Sequence, residues 1–435
     1  MIKSLICILM IILAEMSAMA QENPEGQDEA YVDQKDLIML IRGEKHKKIN
    51  SGYPEKGKLI FFAAPILGSN PSLGSFFGLA GTGAMLLGSP DSTNISNLSA
   101  SLLYTTKNQF IASLRGTIMT PGNNWEMLID LKFSYFSEST YGLGSDDLQP
   151  VKSSWNIGGV QTSGLSGAQP MTFNQIRIHY TALRNVIGKF YGGIGYHLDY
   201  NYKIKDLNLD LEAPEPVITS HYAYSLYYGF NTENYVSSGV SLDVVYDSRD
   251  HTVNPYHGKF LQASYQVNPT FMGSAENYQQ VYLETRLYYP LSKSVPRHLI
   301  GFWFIGDFTV SGDAPYLHLP ASGYDMRNRI GRGYVAGRFR GPSWITAETE
   351  YRFPLSKSGL FGAVLFGSIT STSRQAFMIG SESIYKLNLF EAIRPAGGFG
   401  LRVMLNRTGR LNLDLDMAFG QDGSKGFYFN VGETF

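Results

Sequence analysis

The fold of this chain is decided by a stretch that reads LIDLKFSYF at residues 128–136. Its residues fall into two alternating sets, apolar Ile129, Leu131, Phe133 and Tyr135 and polar Asp130, Lys132 and Ser134. Because successive side chains of a β-strand point to opposite faces, this alternation predicts a strand with one apolar face and one charged face.

The same alternation recurs in the stretches 281–289, 345–353 and 411–417. Their polar faces carry charges at mid-strand, namely Glu284, Arg286, Glu348, Glu350, Arg352, Asp414 and Asp416. Such charges are costly in a packed core but not against a hydrated lumen. We therefore predict an all-β protein, a transmembrane antiparallel β-barrel with its apolar faces outward. A large soluble β-sandwich or propeller is the alternative.

The composition argues against two other classes. A formal net charge of −1 gives no basis for a surface that binds nucleic acid. Outside the amino-terminal region, no apolar run is long enough for a membrane-spanning helix. The 28 Tyr, 26 Phe and 46 Gly are typical of a barrel with aromatic girdles. Candidate girdle residues are Phe76, Tyr104, Trp125, Tyr141, Tyr265, Trp303 and Trp344.

The amino terminus reads as a signal peptide. Lys3 precedes an apolar run at residues 5–13, and small residues at 17–20 offer a cleavage site. A retained anchor is the alternative. The only cysteine, Cys7, lies inside this segment, so we expect an exported chain without disulfides.

Turn-forming sequences divide the rest of the chain unequally. Short connections are expected at 254–258, 356–359 and 406–409, and long ones at about 144–170, 311–341 and 371–390. The remaining length holds ~16 strands of about 9 to 11 residues, with 12 or 14 as alternatives. The predicted organisation is a signal peptide at 1–20, a short periplasmic segment at 21–71 and a barrel at 72–435.

Several short motifs resemble the BamA-type bacterial surface antigen superfamily, whose members assemble or translocate outer-membrane proteins. The likeness is spread over most of 72–435. It is carried by 330–334 (Ile-Gly-Arg-Gly-Tyr), 350–352 (Glu-Tyr-Arg), Gly397, Gly398, Gly400 and Arg402, 246–250 with Asp247, Arg249 and Asp250, and Phe435.

The resemblance implies that the long sixth outer loop, with Arg332, Gly333 and Tyr334, folds back into the lumen. There Arg332 would contact acidic wall residues, and Glu350 matches the family's acidic partner. Glu348 falls on the same face by alternation. The alternative is a solvated loop arginine. Where the family has a second acid, this chain has Ser368, which could accept only a weaker hydrogen bond. Either Glu348 substitutes for that acid, or the loop is held less firmly.

Two further expectations concern the ends of the chain. Phe435 is similar to the terminal aromatic residue by which such barrels are recognised for assembly. The first wall strand is expected at 76–87 and the last at 426–435, with glycines that weaken the seam between them. Alternatively, those glycines only relieve crowding inside the barrel. The segment 21–71 is too short for the family's periplasmic polypeptide-transport-associated domains.

Catalytic motifs are lacking. No G-x-S-x-G, H-E-x-x-H or P-loop occurs, and the eight histidines have no metal-ligand spacing. Asp247, Arg249 and Asp250 could suggest an acid cluster, but a structural ion pair at the periplasmic rim is the simpler interpretation. We expect no enzymatic activity, cofactor or metal.

The sequence thus predicts a barrel of the bacterial outer membrane that takes part in inserting outer-membrane proteins or translocating cargo. Its expected partners are outer-membrane lipids, nascent outer-membrane proteins and other envelope assembly subunits. The alternatives are a passive channel or solute transporter, and a structural or lipid-handling accessory subunit of an envelope complex.

Overall fold

The structure is a computed structural model. It describes residues 35–41, 43, 56–70, 73–146, 154–157, 160–163, 167–292, 295, 297–323, 330–379, 382–384, 386–407 and 410–435. The predicted signal peptide at 1–20 lies outside the described residues.

Sixteen antiparallel strands form one sheet in chain order. They are β1 (Leu59–Asn70), β2 (Gly74–Met85), β3 (Ser96–Thr105), β4 (Phe110–Met119), β5 (Trp125–Thr140), β6 (Gln169–Ile187), β7 (Phe190–Asp206), β8 (Asn234–Asp247), β9 (Gly258–Asn268), β10 (Tyr278–Pro290), β11 (Leu299–Ser311), β12 (Ser343–Pro354), β13 (Phe361–Thr372), β14 (Ile393–Asn406), β15 (Leu411–Gly420) and β16 (Lys425–Val431). The predicted barrel of 16 strands is confirmed, and the sandwich and propeller alternatives are wrong.

The alternation predicted from residues 128–136 is seen in β5. Asp130, Lys132 and Ser134 are buried inside the barrel, whereas Phe133 and Tyr135 are each 44% exposed on its outer surface. The strand pairs with β4 on one side and β6 on the other through continuous ladders. The wall therefore separates a polar interior from an apolar exterior, as the pattern requires.

The sheet begins one strand earlier than we predicted. β1 lies within the range 21–71 that we placed before the barrel, and it pairs with β2 from Leu59 opposite Met85 to Asn70 opposite Gly74. The predicted first strand at 76–87 is mostly β2. The sequence of β1 conceals it, because the apolar run LIFFAAPIL has no polar alternation and contains Pro65. Proline is tolerated in an edge strand, where its missing N–H is not needed.

The connections give the barrel two different ends. At the turn end the strands are joined by short segments, among them 248–257, 355–360 and 407–410. At the loop end lie the long connections 141–168, 207–233, 312–342 and 373–392. Two of these carry small hairpins, formed by Ser154–Ile157 with Val160–Ser163 and by Phe377–Ile379 with Glu382–Ile384. The long connection 207–233 was not predicted; it contains helix α2 (Ser220–Tyr228).

A short helix, α1 (Leu37–Ile41), docks at the turn end. Asp36 Oδ1 accepts a hydrogen bond from the Met39 amide at 2.7 Å, and its Oδ2 accepts one from the Arg407 amide at 3.0 Å. The Lys35 amide donates to the Ser358 carbonyl at 2.8 Å. Residues 35–41 are thus fixed to two turns of the barrel. No helix in the described ranges is long and apolar enough to span a membrane.

The predicted aromatic girdle is only partly present. Tyr104, Trp125 and Tyr265 are exposed on the outer surface, as expected. Trp303 and Trp344 are instead buried inside the barrel. Phe76, on β2, is also buried on the lumenal side. An aromatic residue near a strand end was therefore not by itself a girdle residue, since Trp344 lies on the lumenal face of β12 together with Thr346 and Glu348.

The barrel closes at a seam between β1 and β16. These strands lie next to each other, but within the described residues no ladder of backbone hydrogen bonds links them. Every other neighbouring pair in the sheet is hydrogen-bonded. The seam is therefore the one discontinuity of the described sheet.

Candidate functional site: the lumenal loop and the last strands

The connection 312–342 is the sixth at the loop end, and its described parts fold into the lumen. Near the entrance, the Tyr316 hydroxyl lies 2.5 Å from Thr140 Oγ1, and the Leu317 amide donates to the Tyr235 hydroxyl at 3.1 Å. His318 Nε2 lies 2.8 Å from Asn201 Oδ1. Burial lowers the pKa of His318 to about 4, so it is neutral at pH 7. The wall strands β5, β7 and β8 thus hold the first limb of the loop.

The second limb contacts the last strands. Gly333 has a φ of 101°, and a Cβ there would lie 3.0 Å from the Ala396 Cβ. Its amide donates to the Tyr428 hydroxyl at 3.0 Å, and its carbonyl accepts from the Ser424 hydroxyl at 2.6 Å. A side chain at 333 would prevent this approach. Glycine is therefore needed both for the backbone conformation and for the close contact.

Tyr334 fixes the same limb by a second pair of hydrogen bonds. Its hydroxyl donates to the Pro395 carbonyl at 2.7 Å and accepts from the Gln421 amide at 3.0 Å. Together, Gly333 and Tyr334 bind the loop to β14, to β16 and to the turn between β15 and β16.

Arg332 lies at the centre of a buried cluster and is only 2% exposed. Its Nη1 donates to Asp416 Oδ2 at 2.6 Å, its Nη2 donates to Glu348 Oε1 at 2.5 Å, and Nη2 also contacts Glu350 Oε1. The guanidinium carbon lies 3.5 Å from the centroid of the Phe366 ring. We call these five residues the Arg332 cluster. A solvated loop arginine, the alternative that the sequence left open, does not describe this position.

The structure differs from the sequence-based expectation at Ser368. This serine is buried on β13 directly opposite Glu348, but no hydrogen bond among the described residues joins it to Arg332. The acids that hold the guanidinium come instead from β12 and β15. Phe366, two residues before Ser368, lies under the guanidinium and supplies a cation–π contact.

A second layer of ions surrounds the cluster. Arg402 Nη1 donates to the other oxygen of Asp416 at 2.5 Å, and its Nε donates to Glu433 at 2.9 Å. Arg352 Nε donates to Glu350 at 2.7 Å. The buried acids are thus shared among three arginines, as buried charges need to be.

The glycines of β14 make room for this arrangement. On the lumenal face, a Cβ at Gly398 would lie 2.6 Å from the Phe366 ring, and one at Gly400 would overlap the Asp416 carboxylate. Gly397 lies on the other face of the strand, where a Cβ would be 3.2 Å from the Phe366 carbonyl. Two of the three predicted wall glycines therefore clear space for residues of the Arg332 cluster.

Phe435 is buried in the lumen. After Val431 the chain leaves the wall at Gly432, whose φ is 99°. The Phe435 ring lies 5.2 Å from that of Trp303 and 6.0 Å from that of Tyr288, measured between centroids. Arg352 Nη2 donates to a Phe435 backbone oxygen at 2.9 Å. This residue, expected as an assembly signal, thus contacts the same arginine that binds Glu350.

At the turn end, the predicted rim motif forms two separate pairs. Arg249 binds Asp247 through two hydrogen bonds, at 2.9 and 2.6 Å. Asp250 binds Arg410 at 2.5 Å and accepts the Tyr256 and His257 amides. Although burial opposes it, Arg410 holds the pKa of Asp250 below its ordinary value. Both acids are therefore engaged in structural ion pairs.

Sequence reasoning missed several members of this site. Asp416 was predicted to face the lumen but was given no partner, and Tyr428, Ser424 and Glu433 were not singled out. Their importance follows from contacts between segments far apart in sequence. The described residues contain no group of three or more His, Cys, Asp or Glu side chains that could hold a metal ion.

Comparisons with known proteins give a family match and two similar solved structures. Residues 122–435 match the family model described as "Omp85 superfamily domain". No functionally curated protein matches the sequence. Among solved structures, the chain resembles BamA from Haemophilus ducreyi lacking POTRA domains 1–3, with a TM-score of 0.50 and 12% identity over 86% of this chain and 69% of that one. It also resembles CdiB from Acinetobacter baumannii, with a TM-score of 0.48 and 11% identity over 86% and 59%.

The family match covers well over half of the sequence and includes β5 to β16, the lumenal loop and every residue of the Arg332 cluster. This chain therefore belongs to the Omp85 superfamily and is an outer-membrane β-barrel.

Proposed function

We propose that this barrel takes part in inserting outer-membrane proteins or in translocating cargo across the outer membrane. The observation that carries the proposal is the seam. Because no ladder links β1 and β16 in the described sheet, the backbone N–H and C=O groups on their facing edges are not paired with each other in a ladder. An extended client segment can add to such an edge as a further strand.

Both seam strands have features that lower the cost of opening. β1 contains Pro65, which has no N–H to donate. β16 is only seven residues long and ends before Gly432. A short strand forms few hydrogen bonds with its neighbour, so few hydrogen bonds are broken when it is displaced.

The loop that carries Arg332 is placed to control this opening. It binds Asp416 on β15 and Tyr428 on β16, the strands that would move with the seam. In this proposal, release of β16 requires the loop to move with the strand or to give up these contacts.

The proposed partners are nascent outer-membrane proteins, other cargo and further envelope assembly subunits. Residues 1–20 would direct export and be removed as a signal peptide. The proposal contains no catalytic step, cofactor or metal.

Photo-crosslinking in cells tests the seam. A photoreactive phenylalanine analogue replaces Phe61 on β1 or Phe427 on β16, two outward-facing residues that are 66% and 47% exposed. We expect both positions to capture unfolded outer-membrane proteins or secreted cargo.

Leu242 on β8 is the matched control, because it is 65% exposed on a wall distant from the seam in the order of strands. Crosslinking of the same clients at Leu242, or no client at Phe61 and Phe427, would show that the seam is not a working edge.

A passive channel is the second candidate. The observation that favours it is a lumenal cavity of about 270 Å³, lined by polar residues such as Asp243, Gln262 and Gln280. High conductance in planar bilayers that survives deletion of residues 311–341 would support a channel and count against a loop-gated insertase. A structural or lipid-handling accessory subunit would give neither client crosslinks nor conductance.

A further inference from the structure

A second cavity lies inside the barrel, between the lumenal loop and the wall near the seam. Its volume is about 410 Å³, within the range of about 300 to 1,000 Å³ that is usual for small-molecule pockets. Small side chains on β2, β3 and β4 border it, including Ala80, Ser99, Ser101 and Ser113. The cavity exists because these side chains do not reach the loop.

One wall of this cavity holds a buried ammonium group. Lys132 on β5 is 8% exposed and borders the cavity. Its Nζ lies 5.3 Å from the centroid of the Phe136 ring. Asp130 and Glu138 act on it electrostatically, but no hydrogen bond or ion pair joins it to another described side chain. A buried ammonium that no carboxylate contacts directly is costly.

The nearby carboxylates bind other cations. Asp130 lies 2.8 Å from Arg115, and Glu138 lies 3.2 Å from Arg340. The arrangement around Lys132 therefore suits an anion that is brought by a ligand.

The cavity is apolar toward the loop end. Phe76, Leu103, Ile111, Phe136 and Phe173 border it there, near the loop-end termini of their strands. Lumenal faces of barrel walls are usually polar. A free inorganic anion would gain nothing from this surface, whereas a hydrocarbon chain would bury apolar area against it.

The cavity also reaches the seam. Ile66 of β1 borders it, and so does every residue from Tyr428 to Thr434. The cavity therefore reaches the edge of β16 that faces β1. Phe427, just before this run, is exposed on the outer surface. Opening of the seam would give a ligand dissolved in the membrane a lateral route to the cavity.

From these observations we propose that the cavity binds an anionic membrane lipid. Its head group pairs with Lys132, and an acyl chain lies along Phe76, Leu103 and Phe136. This inference goes beyond the proposed function, since a client strand at the seam edge does not require a lipid in the lumen.

Binding of cis-parinaric acid tests the proposal. This fluorescent fatty acid has one carboxylate and one unlabelled chain, and its methyl ester is an uncharged control. Energy transfer from tryptophan to the bound polyene is titrated on the full chain in an amphipathic polymer. We expect saturable binding of one acid per chain, about tenfold or more tighter than the ester. Phosphatidylglycerol should displace it, whereas phosphatidylcholine and inorganic phosphate should not.

Four variants separate the cavity from the outer surface. Lys132→Gln should weaken binding of the acid to the level of the ester, while Lys189→Gln, an exposed lysine in the β6–β7 turn, should have no effect. Ala80→Phe and Ser101→Phe fill the cavity from two strands and should abolish binding of both probes. Heat-modifiable mobility checks that each variant is folded.

Three results would overturn the proposal. If the acid and the ester bind with equal affinity, and Lys132→Gln leaves both affinities unchanged, Lys132 does not bind the head group. Binding that survives both cavity-filling variants would place the probe on the outer surface. Displacement by inorganic phosphate as readily as by phosphatidylglycerol would identify an anion site rather than a lipid site.

Discussion

Arg332 Nη1 lies 2.6 Å from Asp416 Oδ2, and this contact joins the sixth loop to β15, the neighbour of the last strand. Both side chains are almost completely buried. Asp416 also binds Arg402, which in turn binds Glu433 beyond the end of β16. A chain of ion pairs therefore runs from the loop to the segment that leaves the seam strand. Loss of any residue in this chain of ion pairs should therefore weaken the attachment of both the sixth loop and the end of β16.

Replacing Arg332 with alanine should be strongly destabilising. The change leaves Glu348, Glu350 and Asp416 buried with one fewer cation, and removal of one partner from a buried pair costs about 3–5 kcal/mol. We expect a lower free energy of unfolding in urea and a lower midpoint of heat-modifiable mobility. Arg332→Lys should recover only part of this, because an ammonium lacks the planar fork that contacts several acids.

Arg338→Ala is the matched control for Arg332→Ala. Its guanidinium lies in the same loop and stacks on Tyr141 at 4.4 Å. Such a contact contributes about 0.5–2 kcal/mol. Equal effects of the two substitutions would contradict a special role for the Arg332 cluster.

Asp416 should matter more than Ser368, although the family resemblance places its second acid at the position of Ser368 and gives no role to Asp416. Asp416→Asn removes a charge that two arginines share and should cost about 1–3 kcal/mol. Ser368→Ala removes a buried hydroxyl that makes no hydrogen bond to Arg332 and should cost less, at most about 1 kcal/mol. Urea unfolding of both variants measures the difference. A larger loss of stability in Ser368→Ala than in Asp416→Asn would show that Ser368 is the more important partner of the loop.

Much of this site could be predicted from local pattern, and the remainder depends on long-range register. Alternation placed Glu348 and Glu350 on the lumenal face, and the resemblance brought Arg332 toward them. Nothing local connects Asp416 to residue 332, because their contact depends on how β14, with Gly400 opposite Asp416, aligns with β15. β1 was missed for a different reason. Its apolar run, which contains Pro65, shows neither the two-residue alternation of a half-buried strand nor the 3.6-residue period of an amphipathic helix.

Phe435 gives a test of packing inside the lumen. Its ring lies against Trp303 and Tyr288, and Gly301 leaves the space that it fills, since a Cβ there would be 3.1 Å from the ring. Phe435→Ala should cost about 3–5 kcal/mol by leaving a cavity. Phe435→Leu should cost less.

The measurement for Phe435 is urea unfolding of chains that have already assembled, so that an effect on assembly is excluded. A stability equal to that of the wild type in Phe435→Ala would show that the lumenal packing of this ring does not contribute.

His251 predicts a pH dependence at the turn end. Burial lowers its pKa to about 3, and Nδ1 accepts the Val253 amide at 3.1 Å. Because the folded pKa lies below the ordinary value of about 6.5, the unfolded chain binds more protons between these values. Stability should therefore fall as the pH drops from about 6.5 toward 3, by at most about 1.4 kcal/mol per unit.

His251→Asn isolates this contribution, because the Asn amide oxygen can accept the same backbone N–H without titrating. Urea unfolding between pH 4 and 7 should give a flatter profile for the variant. Asp250, whose pKa is held below its ordinary value, should still cause a loss at lower pH. An unchanged slope in His251→Asn would mean that another group titrates in this range.

Glu126 is the position where substitution should stabilise the barrel. It is fully buried on β5, and neither carboxylate oxygen has a hydrogen-bond partner among the described residues. It lies opposite Leu183 in the ladder with β6, and Leu128 of the same face packs with Leu183 and Val245. A carboxylate in such surroundings is destabilising, because its desolvation is not offset by hydrogen bonds.

Glu126→Gln and Glu126→Leu should therefore both raise the free energy of unfolding, Leu more than Gln because it leaves no polar atom without a partner. Glu284→Gln is the matched control on β10. That carboxylate accepts from Arg286 at 2.5 Å and from Trp303 Nε1 at 2.7 Å, so neutralising it should be destabilising. Opposite signs for the two glutamates are the expected result of urea unfolding at pH 7. If Glu126→Gln instead lowers stability as much as Glu284→Gln does, the Glu126 carboxylate contributes favourable interactions and the argument from its missing hydrogen bonds is wrong.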